Sequence, residues 1–145
     1  MLSRAMTKAA NHTPDWRPES GTRTQLSFVD LRRAYFNAKV DQELCPTYVG
    51  LPKEGEDWQS YCGELLRHMY GTRMAADGWQ EVYSTMLLRL GFKQGQTCPN
   101  AFSHHENGIT TSVHGGDFTS SGPNGALDWL ESQLVKLTGS PLDPV

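Results

Sequence analysis

Apolar residues recur along this chain at two periods, and the periods mark its elements. Ile109, Thr111 and Val113 alternate with polar neighbours, the spacing of a strand with one buried face. Asn107-Gly108 just before them signals a hairpin with the stretch from Ala101, because both central residues of a type I′ turn need positive φ. The far arm runs into His114-Gly115-Gly116-Asp117-Phe118, a glycine pair that holds a carboxylate at a second bend. Thr119 to Pro123 then reads as a break. Elsewhere the period is helical. Trp79, Val82, Tyr83, Met86, Leu87 and Leu90 return every three or four residues, a stripe of about three turns. Asp77 and Gln80 are spaced as a capping box at its start, and Gly91 is placed as its C-terminal cap. Ala126, Leu127, Leu130, Leu134 and Leu137 predict a last amphipathic helix, with Asp128 in its first turn and Gly139 just past its end.

The remaining segments are shorter. Leu26 to Val29 reads as a buried strand that runs straight into Asp30, and Leu31 to Ala38 has helical spacing. Asp30 therefore has two readings: a cap for that helix, or a carboxylate standing free at a strand end. Local pattern alone favours the cap. Residues 41 to 60 are expected to be a loop-rich excursion around Tyr48 and Val49, pinned to the body by Trp58 and Tyr61. Glu64 to Tyr70 reads as helical up to Gly71. Leu2, Ala5, Met6 and Ala9 predict a helix over residues 2 to 10, followed by a connector through Pro14, Pro18 and Gly21. The order argues α+β: an antiparallel sheet with helices packed on one face.

Composition narrows the classes. A chain of 145 residues suits one domain that needs no staples. The net charge of -3 excludes a global basic field that would draw it to nucleic acid. Cys45, Cys62 and Cys98 are odd in number and widely spaced, which predicts reduced thiols in an intracellular, reducing compartment, cytoplasm or nucleus. No apolar run reaches the length of a membrane span, so no membrane partner is expected. A metal module of those cysteines with His68, His104 and His105 fits no zinc spacing.

Asp30 and Asp117 each end a predicted strand and are separated by a long helical crossover. They could meet if the first strand lies beside the hairpin in one sheet. Carboxylates that close repel, and such pairs commonly hold divalent cations or share a proton. Here the residues become recognisable. Phe28-Val29-Asp30 followed by Ala34-Tyr35-Phe36-Asn37 resembles motif A of reverse transcriptases. Leu66, Met69-Tyr70-Gly71, Trp79 and Leu90-Gly91-Phe92 resemble the stretch through motif B in copia-type retrotransposon polymerases. Pro99, Phe102 and then His114-Gly115-Gly116-Asp117-Phe118 fall where that family has its tyrosine-x-Asp-Asp hairpin, motif C. The resemblance spans residues 26 to 137 in the family's order, with residues 1–25 as an N-terminal helix and connector and 138–145 as a frayed tail.

The resemblance implies a polymerase palm, with a ferredoxin/RRM-like sheet, and two-metal nucleotidyl transfer. In that chemistry carboxylates of motifs A and C hold two Mg2+ ions about 3.5–4 Å apart. Carried over, Asp30 and Asp117 are the catalytic acids and metal ligands. Tyr35 is the gate that crowds a ribose 2′-hydroxyl, and it binds nucleotide together with its neighbour Phe36. Template-primer (RNA or DNA) and deoxynucleotide are the family's partners. This chain departs from the pattern at Gly116, which stands where the first motif C acid belongs. His114 replaces the tyrosine, and Met74, Ala76 and Asp77 replace glutamine, proline and arginine. The chain also starts just before motif A and stops soon after motif C, so fingers, thumb and RNase H portion are expected to be missing. Loss of a bridging carboxylate worth ~4 kcal/mol slows the chemistry about a thousandfold. The expectation is descent from a polymerase without its activity and with weakened metal binding. The alternative is a remnant that binds nucleic acid or protein weakly, through arginines such as Arg32, Arg33 and Arg73.

Overall fold

The structure, a computed structural model, describes residues 23–55 and 58–138. The helix expected over residues 2 to 10, most of its connector and the end of the tail lie outside the described residues. In chain order the elements are β1 (Thr24–Asp30), a 3-10 helix (Ala34–Asn37), β2 (Tyr48–Gly50), β3 (Cys62–Glu64), α1 (Ala75–Arg89), β4 (Lys93–Gln94), β5 (Ala101–His104), β6 (Ile109–His114), β7 (Asp117–Pro123) and α2 (Asn124–Thr138). The class is α+β, as expected. Of the described residues, 23–32 and 83–138 form one unit and 33–82 another. No helix among the described residues is long and apolar enough to cross a membrane.

The first unit is built on a five-stranded antiparallel sheet in the order β1-β7-β6-β5-β4. Its inner face carries Ser27 and Val29 of β1, Phe118 and Ser120 of β7, Ile109, Thr111 and Val113 of β6, and Phe102 and His104 of β5, all buried. Leu127, Leu130 and Leu134 of α2 are buried as the spacing predicts, and the helix packs on β1 and β7. Tyr83 of α1 meets Phe102 and Phe118 edge-on, each at 6.0 Å. The outer face is hydroxyl-rich: Thr110, Ser112 and Thr119 are exposed. A sheet with one solvated face alternates in this way.

β7 overturns one expectation. Thr119 to Pro123 is not a break but part of a strand paired on both sides, with β1 and with β6. Its buried hydroxyl is satisfied, since Ser120 Oγ and Thr111 Oγ1 share a hydrogen bond of 2.8 Å, so the strand bears a polar inner position at little cost. Ser27 of β1 likewise donates to Glu131 of α2 at 2.7 Å. β1 itself departs from a fully buried strand, because Phe28 lies on the outer face at 41% exposure.

The β5–β6 hairpin is present with a different turn. His104 pairs with Ile109, leaving a four-residue loop, and of its residues only Gly108 has positive φ (61°). Gly108 N–H donates to His105 C=O, so the loop is a type I turn followed by a left-handed glycine rather than type I′. His104 locks this loop to the end of α1. Its Nδ1 accepts from Asn107 N–H at 3.2 Å, which assigns the proton to Nε2, 3.0 Å from Leu90 C=O. Gly91 and Phe92 donate back to Leu88 and Leu87, the expected glycine cap of α1 in its Schellman form.

The second unit departs further. Leu31 to Ala38 forms only a 3-10 turn, whose N-cap is Arg33 in the left-handed region (φ 57°, ψ 38°) with no side-chain cap. Asp30 is the last residue of β1 and does not cap. The helix expected over Glu64 to Tyr70 does not form: Cys62–Glu64 pairs as β3 with β2, and Arg67 bridges to Lys39, so this stretch is extended instead. α1 starts at Ala75, which places Asp77 inside its first turn rather than at its cap. There its charge complements the helix dipole instead. Trp58 and Tyr61 do not pin the excursion: they are 37% and 67% exposed, and Lys53 Nζ lies 5.9 Å from the Trp58 ring.

Candidate functional site

Asp30 and Asp117 face each other directly. They are register partners at the end of the β1–β7 ladder, and residues opposite one another on paired strands share a face. Just beyond them Leu31 N–H donates to Gly116 C=O at 2.9 Å. That bond makes Asp30–Asp117 a non-hydrogen-bonded pair, the kind whose side chains approach most closely, with Cβ atoms about 4.5–5.5 Å apart. Both carboxylates lie on the outer, solvated face and are exposed.

The tight turn that precedes Asp117 fixes this geometry. Gly115 takes φ 59° while Gly116 stays out of the positive region, the pattern of a two-residue II′ turn closed by His114 and Asp117. The closing pair puts His114 on the other side of Asp117. One row thus crosses three strands: Asp30, Asp117, His114. Sequence reasoning placed the two acids but missed the histidine as a member of the site. The signal was present in the His-Gly-Gly-Asp spacing, since residues i and i+3 across a two-residue turn are cross-strand partners.

Like charges opposite one another destabilise a sheet by a few tenths of a kcal/mol up to about 1 kcal/mol. Removing one should help the fold. Asp30→Asn is expected to raise stability by about 0.5 kcal/mol in urea denaturation, and a loss of stability would mean that the carboxylate supports the structure instead.

Tyr35 and Phe36 occupy the 3-10 turn of the second unit. Tyr35 is half-buried and meets Tyr70 edge-on at 4.4 Å between ring centres, and Phe36 is exposed, with its ring 6.2 Å from the same tyrosine. Asn37 Nδ2 donates to Ala34 C=O at 3.1 Å and so helps hold the turn. These residues form an aromatic cluster of their own.

The donor set does not fit a pair of metal ions. Two carboxylates face each other, Gly116 contributes no side chain, and among the described residues no group of three or more His, Cys, Asp or Glu is arranged to hold a metal ion. The three cysteines are free and exposed, and both ring nitrogens of His104 have backbone partners. No family model, curated protein or solved structure matches the chain.

Proposed function

We propose that residues 26–137 are the palm of a copia-type reverse transcriptase that no longer polymerises. One observation carries this reading: two acids from distant segments oppose each other on the solvated face of an antiparallel sheet, beside a tight glycine turn. Folding gains nothing from that pair, and sites that break a local rule are where function is to be sought. On this reading Asp30 and Asp117 are what remains of the motif A and motif C acids, Gly116 marks the lost one, and the Tyr35–Phe36 turn descends from the nucleotide gate. Mg2+ and template-primer belong to the parent activity. This chain keeps too few donors to hold the metal ions as the parent does.

Primer extension tests the proposal. The full chain, given a primed template, all four deoxynucleotides and Mg2+ or Mn2+, is expected to show no synthesis above its Asp30→Ala variant. Synthesis that Asp30→Ala abolishes would overturn the loss of activity while keeping the palm. Synthesis indifferent to that substitution would sink the assignment of Asp30.

A further inference from the structure

The second unit contains a cavity of about 650 Å³, a size suited to a small molecule. It shares no residue with the carboxylate row and does not depend on the polymerase reading. Its wall includes the first turns of α1 through Asp77, Gly78, Glu81 and Val82, with Leu44 and Met74 adding apolar surface.

His68 is the unexplained group. It is buried to 6% exposure and lines this cavity. Its backbone is held, with N–H donating to Ala38 C=O at 2.9 Å, but its ring has no hydrogen-bond partner among the described residues. Ser84 Oγ, and no nitrogen of this ring, is the fully buried side-chain polar atom left without a partner among the described residues, so the polar edge of the imidazole is open and available to a ligand. The ring is also seated with purpose: a Cβ on Gly78 would come within 2.5 Å of its Cδ2 and Nε2. The helix therefore carries glycine where alanine is the better helix former by about 1 kcal/mol, and the bare turn leaves room for the imidazole at the cavity wall.

Charge indicates what would satisfy it. Asp77 and Glu81 stand four residues apart on α1, on one face, both exposed and without a hydrogen-bond or ion-pair partner among the described residues. Like charges at that spacing repel. The basic side chains at the wall are Lys39 and Arg67, and Arg67 already gives Nη1 to the carbonyls of Phe36 and Asn37. Residues 33–82 as a whole carry five basic against eight acidic side chains, a net charge of -3. We propose that this cavity binds a small organic cation, an amine on an apolar body. The ammonium would sit between Asp77 and Glu81 beside the His68 ring, and the body against Leu44, Met74 and Val82.

Two probes with one body and opposite charge, 2-phenylethylamine and 3-phenylpropionate, separate this proposal from simple apolar filling. In NMR titrations of the full chain at low salt, the amine is expected to bind saturably and to shift the His68 ring resonances, whereas the acid does not. The double variant D77N/E81Q, both at exposed positions, should weaken the amine about tenfold. The double variant E54Q/E64Q, at exposed positions outside the cavity lining, removes the same two charges, should leave the affinity unchanged and so controls for net charge. Equal binding of both probes would overturn the proposal, as would full affinity in the double variant or unmoved His68 signals.

Discussion

Replacing Phe118 by alanine is expected to destabilise the protein by about 4 kcal/mol, the middle of the range for truncating a buried phenylalanine. The ring is 1% exposed and sits on an interior strand of the sheet, opposite Val29 on β1 and Val113 on β6. Tyr83 meets it edge-on at 6.0 Å, so the cavity left behind would be bounded by two strands and a helix that cannot all collapse into it. Total stabilities run from about 5 to 15 kcal/mol, so this loss leaves little margin, and the thermal midpoint should fall by roughly 10 °C or more. Phe28→Ala is the matched control. That ring projects from the outer face of β1 at 41% exposure, and its loss should cost about 1 kcal/mol or less. Equal costs for the two substitutions in urea denaturation would show that the faces of the sheet have been assigned the wrong way round.

The contrast between these two phenylalanines also explains what the sequence did and did not disclose. Elements with a sustained period were legible: β6 through Ile109, Thr111 and Val113, and the two long helices through Trp79, Tyr83 and Leu87 and through Leu127, Leu130 and Leu134, all buried. β7 was not, because after Phe118 its inner positions are Ser120 and Gly122. Their suitability depends on tertiary partners. Ser120 needs the hydroxyl of Thr111, and a side chain on Gly122 would come within 3.0 Å of Gly108 C=O. Serine and glycine without those neighbours look like a turn. The same reason hid β3, whose register partners on β2 lie sixteen residues away at Tyr48 and Glu64 and twelve at Gly50 and Cys62. The extent of the 3-10 turn was hidden by Arg33, since nothing local announces a left-handed arginine. The opposition of Asp30 and Asp117 could be anticipated only from the order of motifs, because the register that creates it runs along the very strand that the local pattern read as a break.

Gly116→Asp should turn the row into a metal site. Gly116 is not in the positive-φ region, so an aspartate is compatible with the backbone there, while Gly115 retains the left-handed place in the turn at φ 59°. The new carboxylate would stand next to Asp117 and across the strand boundary from Asp30, giving three acids where there are now two. Without cations they repel, and the variant should be less stable than the parent chain by about 1 kcal/mol. With Mn2+ or Mg2+ the order should reverse. An ion that binds only the folded form stabilises it by about 2.7 kcal/mol at a hundred times its dissociation constant, so the thermal midpoint of the variant should climb with metal concentration while that of the parent chain stays nearly flat. Calorimetric titration should show affinity at least about tenfold tighter, a gain of ~1.4 kcal/mol, and Asp30→Asn in the same background should take it away. Retention of the gain without Asp30 would place the ion on the turn alone and remove β1 from the site. Absence of any gain would mean that the opposed acids are not a polymerase centre one ligand short, because supplying that ligand is then not enough.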